Sequence, residues 1–224
     1  MAVHLQREIK RLKELIFNLI SRVENNVKLS VKSLKDRDKK LAQQIIDSDV
    51  EIDRMEVDVE EECLKILALH QPVAIDLRLI IAFMKINNDL ERIGDLAANI
   101  AERAIFLSSQ VEPSMLIDFT DMAGKAQIML RKSLDALVNF DLKEARLVCS
   151  LDDEVDQMYR EILRNIKEEI EKNPSYSEIY IQLLSVARQL ERIADHATNI
   201  SEDTIYMVEG HIVRHRDKTC QSIE

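Results

Sequence analysis

Along this chain the apolar positions recur at three- and four-residue steps almost without interruption, the spacing of one helix face. From Leu5 they run through Leu12, Ile16, Leu19, Val23, Val27 and Val31 to Leu34, which predicts a first helix of about eight turns. Asp38 is placed to cap a second helix, from Leu41 to about Leu69, which Pro72 ends. A third runs from about Ala74 to Leu107 and closes before Pro113. The plan then repeats. A fourth helix is predicted from Met115 to Val138, and Asp141 with Glu144 reads as a capping box for a fifth. Pro174 separates that helix from a sixth, which ends near Gly210, a C′ glycine. The pattern predicts an all-α fold of two tandem, similar three-helix bundles, each running up-down-up. Residues 1–110 form the first and 111–210 the second, with 211–224 as a frayed tail.

The two halves share more than a plan. Leu90–Ile105 reads against Leu190–Ile205 with ten of sixteen positions identical: Leu, Glu, Arg, Ile, Asp, Ala, Asn, Ile, Glu and Ile. A common core accounts for the apolar identities. It does not account for the Glu, Arg, Asp, Asn and Glu, so the repeat copies surface chemistry as well as packing. At an offset of 103, Asp38, Lys40 and Ala42 match Asp141, Lys143 and Ala145. Asp49, Glu51, Asp53 and Met55 likewise match Asp152, Glu154, Asp156 and Met158.

At 100° per residue, with Glu91 at 0°, Asp95, Asn99 and Glu102 fall at roughly 40°, 80° and 20°. The apolar residues of the same helix centre near roughly 220°, so these acids are expected opposite the core. The same holds for Glu191, Asp195, Asn199 and Glu202. Asp49 and Asp53 form a second i, i+4 acidic pair, nearer the edge of their helix's apolar stripe. Folding the hairpin at Pro72 brings together residues whose numbers total 144, which sets Asp53 level with Glu91 and Asp49 level with Asp95. Around Pro174 the total is 347, and Asp156 meets Glu191 while Asp152 meets Asp195. One DxxxD pair in a chain that is 32% charged is an ordinary solvated face. Two acidic pairs at matched height, recurring in both halves, are not. Four carboxylates gathered with no evident Lys or Arg between them repel unless a cation joins them, and oxygen donors suit hard cations.

Composition narrows the alternatives. The chain has 224 residues, with 31 Lys and Arg against 41 Asp and Glu, a net charge of −10. That balance disfavours a nucleic-acid binder, whose affinity rests on neutralising phosphates. Three Gly and three Pro are too few for strands joined by hairpins. No apolar run nears the roughly 18–20 residues of a membrane span. The basic N-terminal residues lie within a helical pattern, unlike a signal peptide. Cys63, Cys149 and Cys220 are far apart and form no CxxC pair, as expected of buried free thiols in a reducing cytoplasm. His196 replaces Leu96 of the first copy and so stands outside the duplicated chemistry, which favours a structural role, or one supporting a ligand from behind, over ligation. His211 and His215 are spaced i, i+4 but lack a third ligand nearby. Arg92 and Arg192, which follow the repeated Glu, read as salt-bridge partners, with contact to an anion or a partner protein as the alternative. There is no HExxH, P-loop, GxSxG or Glu-x-x-His pair.

Length, six-helix duplication and the paired acidic motifs, above all Leu90-Glu-Arg-Ile-Gly-Asp95 with Asn99 and Leu190-Glu-Arg-Ile-Ala-Asp195 with Asn199, resemble the PhoU family over about residues 5–210. Ala194 in place of Gly94 is a mild departure that touches no ligand. The resemblance implies that Asp49, Asp53, Glu91 and Asp95 form one surface metal cluster and Asp152, Asp156, Glu191 and Asp195 the other, with Asn99, Glu102, Asn199 and Glu202 as further ligands. The expected cofactors are metal ions at these two multinuclear clusters, whether Fe, Zn, Mn or Mg. The resemblance further implies a non-enzymatic, cytoplasmic negative regulator, peripheral at the inner membrane through its protein partners. It would couple the ATPase subunit of a phosphate ABC transporter to a sensor histidine kinase. A homodimer is compatible with this reading, and neither nucleic-acid binding nor membrane insertion is expected. The other classes are a metal-dependent phosphoester hydrolase, a purely structural helical adaptor, and a relative serving another transporter.

Overall fold

The computed structural model describes residues 2–110 and 118–211, and among them every element is helical. The helices are α1 (Ala2–Asp36), α2 (Lys39–His70), α3 (Ala74–Ser108), α4 (Thr120–Asn139), α5 (Leu142–Lys172) and α6 (Ser177–Glu209), with a short 3-10 turn at Pro174–Tyr176. The expected all-α plan holds. The boundary between the halves, the expected helical start at Met115, His215 and Cys220 lie outside the described residues. Of the thiols expected to be buried, Cys63 is, whereas Cys149 is only half-buried. α4 begins only at Thr120, where Asp118 accepts a hydrogen bond from the Thr120 backbone N–H at 2.8 Å.

Side-chain caps set the same start in each half. Asp38 accepts from the N–H groups of Lys40 and Leu41, both at 3.0 Å, and Asp141 from those of Lys143 and Glu144 at 2.9 and 3.1 Å. The capping box expected at α5 is only half formed. The Asp141 N–H donates to the Ala136 carbonyl at 2.9 Å, and the Glu144 carboxylate pairs with Lys132 instead. Gly210 closes α6 in the left-handed region at φ 79°, as its position predicts. Arg37, Gln71 and Phe140 reach positive φ without being glycine, and each ends a helix or sits in the turn that follows.

Antiparallel registers follow from paired residues. α1 and α2 are joined by Lys65–Glu8 at 2.8 Å and Asn26–Ser48 at 3.0 Å, α2 and α3 by Asn87 donating to the Glu56 carbonyl at 2.9 Å. The halves meet chiefly through α3 and α6, also antiparallel. Lys85 lies 3.2 Å from Asp203, Asn199 donates to Asp89 at 3.3 Å, and Arg103 donates to Ser185 at 3.4 Å. The offset of 100 converts the first of these positions into the last, so a pseudo-two-fold axis crosses the pair at the level of Gly94 and Ala194. The apolar interior runs without a break from Leu12, Ile16 and Leu19 of α1 to Ile193, Ala197 and Ile200 of α6. The two bundles therefore share one core, and the outer seams, α2 against α3 and α5 against α6, are left facing solvent.

Candidate metal centres

Each outer seam brings together the four carboxylates expected of it. In the first half Asp95 and Asp53 act on Asp49, and Asp95 and Asp53 act on Glu91. In the second, Asp195 and Asp156 act on Asp152, and Asp156 and Asp152 act on Glu191. Gly94 sets the approach in the first seam. A Cβ there would stand 3.1 Å from two carbon atoms of Ile52 and 3.4 Å from Oδ1 of Asp49, so the bare backbone lets α2 lie close and seats Asp49 against α3. The second seam accommodates Ala194 at the matching place, fully buried.

The acids are less open than an outward helix face suggests. They lie in the crease between two helices, and the Glu91 side chain is only 24% exposed. Loss of water, with like charges beside it, pushes the Asp49 carboxyl up to about 6. Asp152 is also raised to about 6, by burial first and then by Asp195 and Asp156. Asp195 reaches solvent, yet the surrounding crease and the charges of Glu191 and Asp156 raise it to about 6, against the opposing pull of His196 and Arg192. Glu91 and Glu191 are raised as well, again by burial first.

Cations do reach the rims, although the sequence shows no evident Lys or Arg between the acids. Arg92 lies 3.4 Å from both Glu91 and Asp95, and Arg160 lies 3.0 Å from Asp156. Both arginines are more than half exposed, and each leaves a quartet with more negative than positive charge. This bears out Arg92 as a salt-bridge partner.

Whether the residues fit a metal can be asked of the donors themselves. All eight are carboxylates, the donor type of hard cations. Oε2 of Glu91 is buried and accepts no hydrogen bond, and the Thr198 hydroxyl lies buried against Asp152 without a full hydrogen bond. The Glu91 oxygen has only the exposed Arg92 at 3.4 Å to offset its desolvation, which a closer cation would offset further. Among the described residues no three carboxylate, imidazole or thiol groups are drawn in closely enough to hold one ion as they stand. The donor set fits; ion binding would have to draw the side chains together.

The further ligands divide. Asn99 donates to the Asp95 carbonyl of its own helix at 2.8 Å, Glu102 pairs with Arg103 at 3.0 Å, and Asn199 turns its amide to Asp89. Glu202 is half-buried, with partners of its own. His196 has the structural role its place outside the repeat suggests, with Nδ1 2.8 Å from Asp89 across the α3–α6 interface. His211 is exposed beside Glu209 at 3.2 Å. Sequence reasoning missed Asp89 and Asp203, both buried acids; their signal is an acid at a position where the helix period calls for an apolar residue.

Fold and site together define a duplicated helical protein that carries a carboxylate quartet on the outer seam of each repeat. The sequence profile of the PhoU domain matches twice, at residues 5–104 and 119–204. The chain is 41% identical over 194 residues to the phosphate-specific transport system accessory protein PhoU homolog of Pseudomonas aeruginosa, which covers 86% of this chain and 80% of that protein. It is 34% identical over 209 residues to homolog 1 of Thermotoga maritima, covering 93% and 90%. The crystal structure of PhoU from Pseudomonas aeruginosa superposes with a TM-score of 0.89 at 37% identity, over 92% of this chain and 99% of that one. That of the phosphate transport system regulatory protein PhoU from Streptococcus pneumoniae gives 0.85 at 28% identity, over 93% and 99%. The chain belongs to the PhoU family.

Proposed function

We propose that this chain is a metal-binding accessory regulator of phosphate transport, which restrains phosphate uptake and the phosphate-starvation response when phosphate is plentiful. The observation that carries the reading is the carboxylate quartet in a half-buried seam, built twice from corresponding residues. Relatives named as accessory proteins of phosphate-specific transport support its setting.

Asp49, Asp53, Glu91 and Asp95 would hold cations in the first half, and Asp152, Asp156, Glu191 and Asp195 in the second. Bound cations supply positive charge and open coordination positions suited to phosphate or to a partner's carboxylate. The chain's own residues fix spacing and proton balance. Rigid helices hold the two acidic pairs of each seam level, and the raised carboxyls must shed their protons before they can serve as ligands. The activity is binding without turnover. It couples the transporter's ATPase subunit to a sensor histidine kinase, at the cytoplasmic side of the membrane. Among the described residues no helix is long and apolar enough to cross a membrane.

The test is the quadruple variant Glu91→Ala/Asp95→Ala/Glu191→Ala/Asp195→Ala. It should fold, lack metal by elemental analysis, and fail to repress phosphate-starvation genes in phosphate-rich cells. Full repression at normal protein level, with metal shown absent, would refute the reading in favour of a structural adaptor. Hydrolysis of a simple phosphoester by the metal-loaded wild type, lost in this variant, would replace it with an enzyme.

A further inference from the structure

We infer that the outer face of α2 is a docking surface for a basic amphipathic helix of a partner protein. Val50, Val57 and Leu64 follow one another at seven-residue intervals and are 54%, 48% and 50% exposed. With Val50 at 0°, Val57 and Leu64 fall at roughly −20° and −40°, while buried Ile45, Ile52, Val59 and Ile66 centre near roughly 190°. The stripe thus lies on the side of the helix turned away from the core.

Scattered exposed apolar residues are ordinary, and the duplicated fold shows whether these three are. At the corresponding positions of α5, offset by 103, stand Asp153, Arg160 and Lys167, all exposed and all charged. The same helix in the same place is content with charge, so packing does not require the apolar side chains of α2. What distinguishes the two faces is what covers them.

The borders identify the occupant. Asp47 and Asp58 line one edge and Asp53 and Glu60 the other, all exposed; half-buried Lys65 also stands on the first edge but is held by Glu8 and Glu62, and Arg54 and Glu61 lie close to the stripe itself. A second copy of the chain laid antiparallel on this face would set Asp53 against Glu60 and Asp58 against its own twin, offset by Arg54 opposite Glu61 and by Asp47 opposite a Lys65 that Glu8 and Glu62 already hold. A helix flanked by Lys and Arg satisfies both borders. The seven-residue interval matches the seam of a left-handed coiled coil, and the drift of about 20° per interval is what such a partner would follow.

The probe is a synthetic amphipathic peptide of about four heptads with Leu at its seam positions and Lys on both flanks; a twin carries Glu on the flanks. Binding to the full chain is read by fluorescence anisotropy near physiological salt. The Lys peptide should bind and the Glu peptide should not. Val57→Arg/Leu64→Lys, which installs the α5 residues, and the uncharged Val57→Gln/Leu64→Gln should each weaken the Lys peptide at least about tenfold. Both variants should keep wild-type helicity, melting temperature and metal content, since they alter no carboxylate of the clusters. The inference is overturned if the Lys peptide fails to bind, or if the uncharged variant binds it like wild type, which would reduce the attraction to net charge. It is equally overturned if sedimentation shows a wild-type dimer that both variants dissolve, which would make a second copy the occupant.

Discussion

Asp49 and Asp152 carry a charge that the metal-free fold resists, so removing that charge should stabilise the protein. Each carboxyl is raised from an ordinary 3.8 to about 6 by the crease and its acidic neighbours. Taken at face value this is a cost of roughly 3 kcal/mol per group once it ionises. Partial exposure and salt reduce that to about 1 kcal/mol. The sign follows from linkage: a carboxyl whose folded pKa exceeds its unfolded one favours the fold below pH 3.8, and the advantage is lost as pH rises through about 6. Asp49→Asn and Asp152→Asn should therefore gain little near pH 4 and reach their full gain above pH 7. In chelator, each should raise the melting temperature by about 2–4 °C at pH 8. Excess Mn2+ should reverse the order, because a ligand stabilises only the state that binds it, and the variants bind it less well. The assay is a set of thermal or urea unfolding curves at several pH values, with chelator and with metal. A gain equal at pH 4.5 and pH 8, or a loss at pH 8 in chelator, would refute the electrostatic account of the seam.

Three further outcomes are expected. Replacing Glu91 and Asp95 together with Ala should remove about half of the metal found by elemental analysis, because the second seam is untouched; full retention would remove the first cluster. Asp203→Ala takes from Lys85 its buried partner at 3.2 Å; because Lys85 is partly exposed and keeps the Tyr206 ring at 4.9 Å, the cost in urea unfolding should be about 1–2 kcal/mol. Gly94→Val should lose about 1–2 kcal/mol, since a Cβ already meets Ile52 at 3.1 Å, whereas Ala194→Gly should lose about 1 kcal/mol through helix propensity alone.

The helices and the two quartets were legible because each rests on a period. Apolar spacing fixed the faces, and proline positions fixed the hairpin centres that set Asp53 level with Glu91. The packing of one half on the other was not legible. α3 and α6 each have to bury a second face, and they do so partly with polar side chains such as Asp89 of α3 and Asn199 of α6, which a pattern drawn from apolar residues passes over. Crease depth was hidden for a related reason. A wheel places Glu91 relative to its own helix, and its burial is imposed by the neighbouring one. The Glu144 half of the α5 capping box failed because Lys132, across the α4–α5 turn, offers a charged partner.

The pairing of α3 with α6 also decides what each repeat recognises. If the first repeat were matched with a copy of itself in the same register, Lys85 would stand opposite Arg103, like charge on like, where the intact chain sets Lys85 against Asp203 and Arg103 against Ser185. Asp89 would meet Leu96 and lose the imidazole of His196 that it holds at 2.8 Å. Duplicates that began alike have diverged into complementary halves, each fitted to its sister and ill fitted to its twin. Covalent linkage keeps those unlike halves at equal number.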